Sequence, residues 1–280
     1  MAMPAVAGMI TFVFVPFAIA TASSFTNQRL VSPVAPRFVG LDNYGRILQD
    51  SVFWQALLIS AVVTFTLVLV QGGLGLVLAL LVNQRLRGVS IARTAYFVPV
   101  VTAMPIVAVI WSFVFTPSGL LNGGLSILPG LSEIDIAWLR TTQTALFSVL
   151  VVTVWQGVGI QMLFFLGGLQ TIPRQLYEAA EIDGAGPGSR FRHVTMPGLR
   201  TITALVVITL TIFSFRLFAQ IDILTGGGPS GASTTLFYLI FRTGFSEQNI
   251  GYASAMIVVL CAIVVGTVII LRRVLPSDED

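Results

Sequence analysis

Six charged side chains fall within PRQLYEAAEIDGAGPGSRFRHVTMP, residues 173–197: Arg174, Glu178, Glu181, Asp183, Arg190 and Arg192. His193 has no second ligand nearby to suggest a metal. The chemistry on offer is ion pairing with another surface. Pro173 can initiate a short helix, with Glu178 and Glu181 expected near its start and Gly184 at its end. A second short helix, from about Gly188 to Val194, would carry Arg190 and Arg192 before Pro197 leads onward. Ala179 and Ala180 are small enough to let a partner approach the backbone. A solvated loop would explain the charge alone, but it would need no Ala-Ala pair, no glycine at a fixed offset and no flanking prolines.

A second group of residues is informative because it interrupts apolar sequence. Thr153, Gln156, Gly157 and Ile160 stand at i, i+3, i+4 and i+7, on one helical face. Further on, TIFSFRLFAQ places Phe213, Ser214 and Leu217 in a similar cluster. Polar groups in a lipid-spanning helix are costly, so they mark either a solute path or hydrogen bonds between helices. Gln156 and Ser214 suit both roles. Arg216 calls for a carboxylate, an aqueous cavity or an anionic ligand. Asp222 offers a partner, the nearby boundary offers snorkelling, and a phosphate-bearing solute would make Arg216 its first contact.

The elements that position these groups are membrane spans. The chain has 280 residues, 55% hydrophobic and only 10% charged, well below the charge content of soluble domains. About 20 apolar residues cross a bilayer. Five stretches of that length stand out and a sixth is interrupted, at about Pro4–Phe25, Ala56–Val82, Ile91–Phe115, Thr144–Leu169, Thr201–Ile223 and Tyr252–Leu271. The first lacks the basic leader and cleavage site of a secretory signal and reads as a retained span. Cys261, the single cysteine, falls inside the last span and reads as a small buried residue. The fold class is therefore all-α, a polytopic membrane protein with six transmembrane helices, one transmembrane domain over 1–280 and a charged segment at 173–197 within it.

The fifteen basic residues are all arginine, which removes the Gly-Lys-Ser/Thr of a nucleotide-binding loop. If ATP is used, another chain binds it. Arg85, Arg87, Arg93, Arg174, Arg190, Arg192, Arg200, Arg272 and Arg273 share one side of a six-span topology, against Arg29, Arg37, Arg46, Arg140 and Arg242 on the other. Short cytoplasmic loops carry the basic excess, so both termini and residues 173–197 are placed in the cytoplasm. The outer connections hold Gly- and Pro-rich turn sequence and are expected to contain short interfacial helices, with Trp54 and Trp138 near the headgroups. The terminal SDED reads as a solvated tail.

Glu178-Ala179-Ala180, three residues, Gly184, nine residues, Val194, one residue and Met196-Pro197 resemble the EAA motif of ATP-binding cassette importer permeases. That family's pattern ends Ile-x-Leu-Pro, so Val194 and Met196 are conservative departures. FVGLDNYGRIL at 38–48 and LTGGGPSGASTTLFYLIFRTGFSEQNIGYASA at 224–255 are similar to its carbohydrate-uptake branch, of the maltose and glycerol-phosphate type, and to the first, maltose-F-like, member of a permease pair.

The resemblance implies a type I importer fold. It also implies a coupling role for Glu178, Ala179, Ala180, Asp183, Gly184, Arg190, Arg192 and Pro197, seated in a cleft of cytoplasmic ATPase subunits. Thr153, Gln156, Gly157, Ile160, Phe213, Ser214 and Leu217 coincide with sugar-contacting positions of the maltose permease, though most residue types differ. The implied partners are a second permease, an ATPase dimer that binds ATP and Mg, an extracytoplasmic solute-binding protein, a sugar-like solute and membrane lipid, without nucleic acid. This chain would hold no cofactor and catalyse nothing itself.

Two rivals make different demands. An ion-coupled secondary transporter calls for paired intramembrane acids and often an inverted repeat. A membrane enzyme calls for a nucleophile with a base, or a metal cluster, inside a span. The sequence supplies neither set.

Overall fold

The computed structural model describes residues 3–84, 89–130 and 135–275. Arg85, Arg87 and the SDED tail lie outside the described residues. Within them the chain is helical, and the sole extended pairing is an isolated antiparallel bridge between Thr26 and Phe38.

Four helices are long and apolar enough to cross a membrane: Met3–Ser23, Ser51–Val82, Thr142–Thr171 and Ile250–Val274. Two bent pairs, Arg93–Val101 with Met104–Val114 and Pro187–Gly198 with Arg200–Ser214, bring the count to six if each pair is one span. Spans are numbered one to six in chain order below. Span two begins five residues earlier than its hydrophobicity suggests because Asp50 caps it, its Oδ1 accepting from Val52 N at 2.9 Å. Asn249 caps span six in the same way, accepting from Tyr252 N at 3.2 Å.

Span three, expected over about Ile91–Phe115, is built of two helices. It breaks at Thr102 and Ala103 and turns through 104°. Pro99 sits inside the first helix and cannot donate to the preceding turn, while Pro105 opens the second, where a missing N–H costs nothing. Span five is also shorter than Thr201–Ile223. Its helix ends at Ser214, and Ala219–Leu224 forms a separate short helix. The carbonyl of Leu217, freed in the intervening turn, accepts from Thr235 Oγ1 at 3.1 Å.

Three apolar clusters tie the bundle together. At one end Ala79 and Val82 of span two pack with Phe165 and Leu169 of span four and with Leu199 beside the start of span five. A middle cluster joins Val63, Val107, Val152 and Leu217. At the other end Phe53, Leu236, Leu239 and Met256 bring spans two and six together around the outer connection. Span one stands apart from this core. Its apolar residues, Phe12 and Val13 among them, are exposed, and only its second half meets span six.

Short helices do occur in the connections expected to be outer, at Asp42–Gln49, Leu120–Leu125 and Leu236–Phe241. Trp138 is tied inward, its Nε1 donating to Asn122 Oδ1 at 2.7 Å, whereas Trp54 remains exposed.

Candidate functional site

The segment 173–198 folds as two helices that stand off the bundle end. Arg174–Ile182 is the first, so Glu178 falls in its second turn and Glu181 in its last, which corrects their expected place near the start. The helix closes with Gly184 at φ +75°, Gly184 N donating to Glu181 O at 3.0 Å and Ala185 N to Ala180 O at 2.8 Å. That pair of bonds is a Schellman cap, which needs a left-handed residue at this one position and therefore favours glycine.

The second helix is longer than Gly188–Val194. It starts at Pro187, widens into a π-helical turn over Phe191–Thr195 and runs on through Pro197 to Gly198. Arg190 reaches Glu181 at 3.5 Å, and the Tyr177 hydroxyl meets Thr195 Oγ1 at 3.1 Å, so the two helices are pinned from both ends of their contact. Arg174 and Glu178 pair at 3.0 Å along the exposed side of the first helix. Ala179, Asp183 and Arg192 are exposed, and Ile182 presents an apolar side chain 86% exposed. The ring Nδ1 of His193 is spent on Ser189 O at 2.9 Å. The result is a rigid knob with small, apolar and charged groups facing outward.

The second site is a cavity of about 370 Å³ between spans two to five. Thr153, Gln156, Gly157, Ile160, Phe213 and Leu217 all line it, joined by Arg216. Ser214 does not. It is buried behind the wall, sharing a 2.7 Å hydrogen bond with Thr64 of span two and donating to Thr211 O. It joins helices, which is one of the two roles open to a hydroxyl in a span.

The polar groups of the wall are already partly committed. Gln156 Nε2 donates to Thr102 O at 2.9 Å, taking the carbonyl exposed where span three breaks. Thr153 Oγ1 donates to Val149 O of its own helix. Arg216 is exposed on the cavity side and pairs neither with Asp222 nor with any other carboxylate among the described residues.

Several wall residues escaped the sequence reading. Gln71 of span two, Gln161 of span four and Gln220 beyond span five also line the cavity, with Leu67, Val100 and Leu210. Two of the glutamines had a signal, since Gln71 and Gln161 are amides set among apolar residues within spans. The apolar three had none. Together the wall offers amides, one hydroxyl, one guanidinium and an aromatic ring, with no carboxylate among its described residues. Such a surface can bind by hydrogen bonds and stacking.

With this geometry in view, the family model for the inner membrane component of binding-protein-dependent transport systems matches residues 71–276. The chain belongs to that family. This permease is 37% identical over 238 residues to the trehalose/maltose transport system permease protein MalF of Thermococcus litoralis, covering 85% of this chain and 79% of that one. It is 35% identical over 252 residues to the sn-glycerol-3-phosphate transport system permease protein UgpA of Yersinia pestis, covering 86% and 81%. Among solved structures, a chain of a bacterial alginate ABC transporter, in complex with its alginate pentasaccharide-bound periplasmic protein, superposes with a TM-score of 0.85. That match covers 99% of the permease and 94% of the other chain at 18% identity, and it shows the shared fold. The protein is thus a multi-pass membrane permease subunit of a binding-protein-dependent ABC importer.

Proposed function

We propose that this permease forms half of the path for a sugar or sugar-like solute and couples that path to ATP hydrolysis in other chains. A second permease supplies the other half, and an ATPase dimer binds ATP and Mg and receives the knob. A solute-binding protein delivers the solute to the outer connections, and both termini face the cytoplasm. The observation that carries the reading is the knob itself, a pinned helix pair that presents Ala179, Ile182, Asp183 and Arg192 outward. Glu178, Ala179, Ala180, Asp183 and Gly184 form its docking face and turn, Arg190 and Arg192 supply charge, and Pro197 opens the way into span five.

ATPase closure would push on the knob, and the second knob helix leads after a 66° bend into span five, whose end lines the cavity. Motion of the one would therefore reshape the other. Phe213 provides a face on which a sugar ring can stack, and Thr153, Gln156, Gly157, Ile160 and Leu217 shape the wall around it. Ser214 acts as a helix–helix bond behind that wall. Arg216 stands where the negative charge of an anionic sugar derivative would come to rest. The names of the relatives, trehalose/maltose and sn-glycerol-3-phosphate among them, support this solute class.

The test is to purify the permease with its second permease, ATPase and binding protein, and to screen sugars, polyols and sugar phosphates for stimulation of hydrolysis. Hydrolysis should rise only when binding protein and a transported solute are both present. Equal hydrolysis without either would defeat the importer reading.

A further inference from the structure

Gln71 is only 5% exposed, yet its Oε1 has no hydrogen-bond partner. Its Nε2 donates to Gln161 Oε1 at 2.7 Å, and both side chains line the cavity. A buried acceptor left unpaired costs free energy that leucine at the same place would avoid. The packing around the pair is fitted to it. A Cβ on Gly157 would meet Gln71 Nε2 at 2.4 Å, and a Cβ on Gly75 would meet Gln161 Cβ at 2.5 Å. Gln71 and Gly75 are four residues apart on span two, and Gly157 and Gln161 are four apart on span four. Each glutamine therefore occupies the notch left by the other helix's glycine.

The chemistry of two facing amides narrows what completes the site. Bonded as they stand, they leave Gln71 Oε1 as a free acceptor. With both amides turned over, Gln161 donates instead and Gln71 Nε2 becomes a free donor. A hydroxyl group both donates and accepts, so it satisfies either arrangement; a carboxylate or an ammonium satisfies one only. We propose that Gln71 holds a hydroxyl group of the transported solute, with Gln161 and the notch at Gly157 positioning its amide. The proposal rests on the cavity being the path of a hydroxylated solute, as argued above. It moves Gly157 from a solute contact to the seat of the group that makes one.

The whole complex in liposomes tests this through uptake of D-glucose, trehalose, maltose and their mono-deoxy analogues by wild type, Gln71→Leu and the double variant Gln71→Leu/Gln161→Leu. The double variant leaves neither amide unpaired and guards against a folding defect. For a sugar that wild type takes up, one mono-deoxy analogue should enter roughly tenfold more slowly, the cost of one lost hydrogen bond. Both variants should slow the parent sugar by a similar factor and slow that one analogue no further. Parent and analogues all slowed by one common factor would reduce Gln71 to a packing role and overturn the proposal, as would unchanged uptake in Gln71→Leu. Wild type that takes up none of these sugars and none of the sugars, polyols and sugar phosphates of the hydrolysis screen would overturn the functional reading and this inference together, which separates the two failures.

Discussion

In the knob, charged and small groups face outward and are held locally, through a glycine cap and contacts between two helices that follow one another in the chain. In the cavity, amides and an aromatic ring face inward and are held by four different spans. The knob is local in sequence and the cavity is not. The contrast suits the proposed division of labour, since a part that receives force must keep its shape alone, while a part that opens and closes must be built from pieces that move relative to one another.

Substitutions can break or sharpen this contrast. The largest effect is expected for Gly184→Pro, because proline fixes φ near −65° where the chain has +75° and loses the N–H bonded to Glu181 O. A local cost of about 3 kcal/mol or more should disrupt the cap while the spans stay folded. Solute-stimulated hydrolysis should fall away, with the far-ultraviolet dichroism of the purified complex preserved; normal stimulation would detach the knob from coupling. Glu178→Arg should weaken coupling in the same assay with less structural cost, since the Arg174 pair it removes is exposed and worth at most about 0.5 kcal/mol.

Within the cavity seam the order is set by what each glycine touches. Gly75→Ala would bring a Cβ to 2.5 Å from Gln161 Cβ and 3.1 Å from its backbone carbon, so a helix must shift. About 1–3 kcal/mol of destabilisation is expected, read as a lower melting temperature of the purified permease. Gly157→Ala meets the far end of a flexible side chain, Gln71 Nε2, and should cost less, under about 1 kcal/mol. Equal losses would mean that the seam yields as easily at the backbone as at the amide.

Much of this protein was legible before any coordinates. Six apolar stretches, the asymmetric arginines and the EAA spacing depend on composition and on residues close in sequence. The break in span three was signalled by Pro99 and Pro105, but an apolar window averages over prolines and reported one span. Helical spacing found six of the seven expected residues that line the cavity. For Ser214 it left two roles open, because one helical face can point to a cavity or to a neighbouring helix and periodicity does not distinguish them.

What the sequence determined by itself is everything with a short range: span existence, the knob's glycine cap and the family signature. Only the tertiary structure decided which polar groups were spent on structure and which were left free. Gln156 takes the carbonyl at Thr102, Ser214 binds Thr64 from 150 residues away, and Gln71 meets Gln161 across two glycine notches while keeping one oxygen unpaired. Hydrogen-bond satisfaction in a membrane bundle is settled between helices, where no single segment of the chain carries the information.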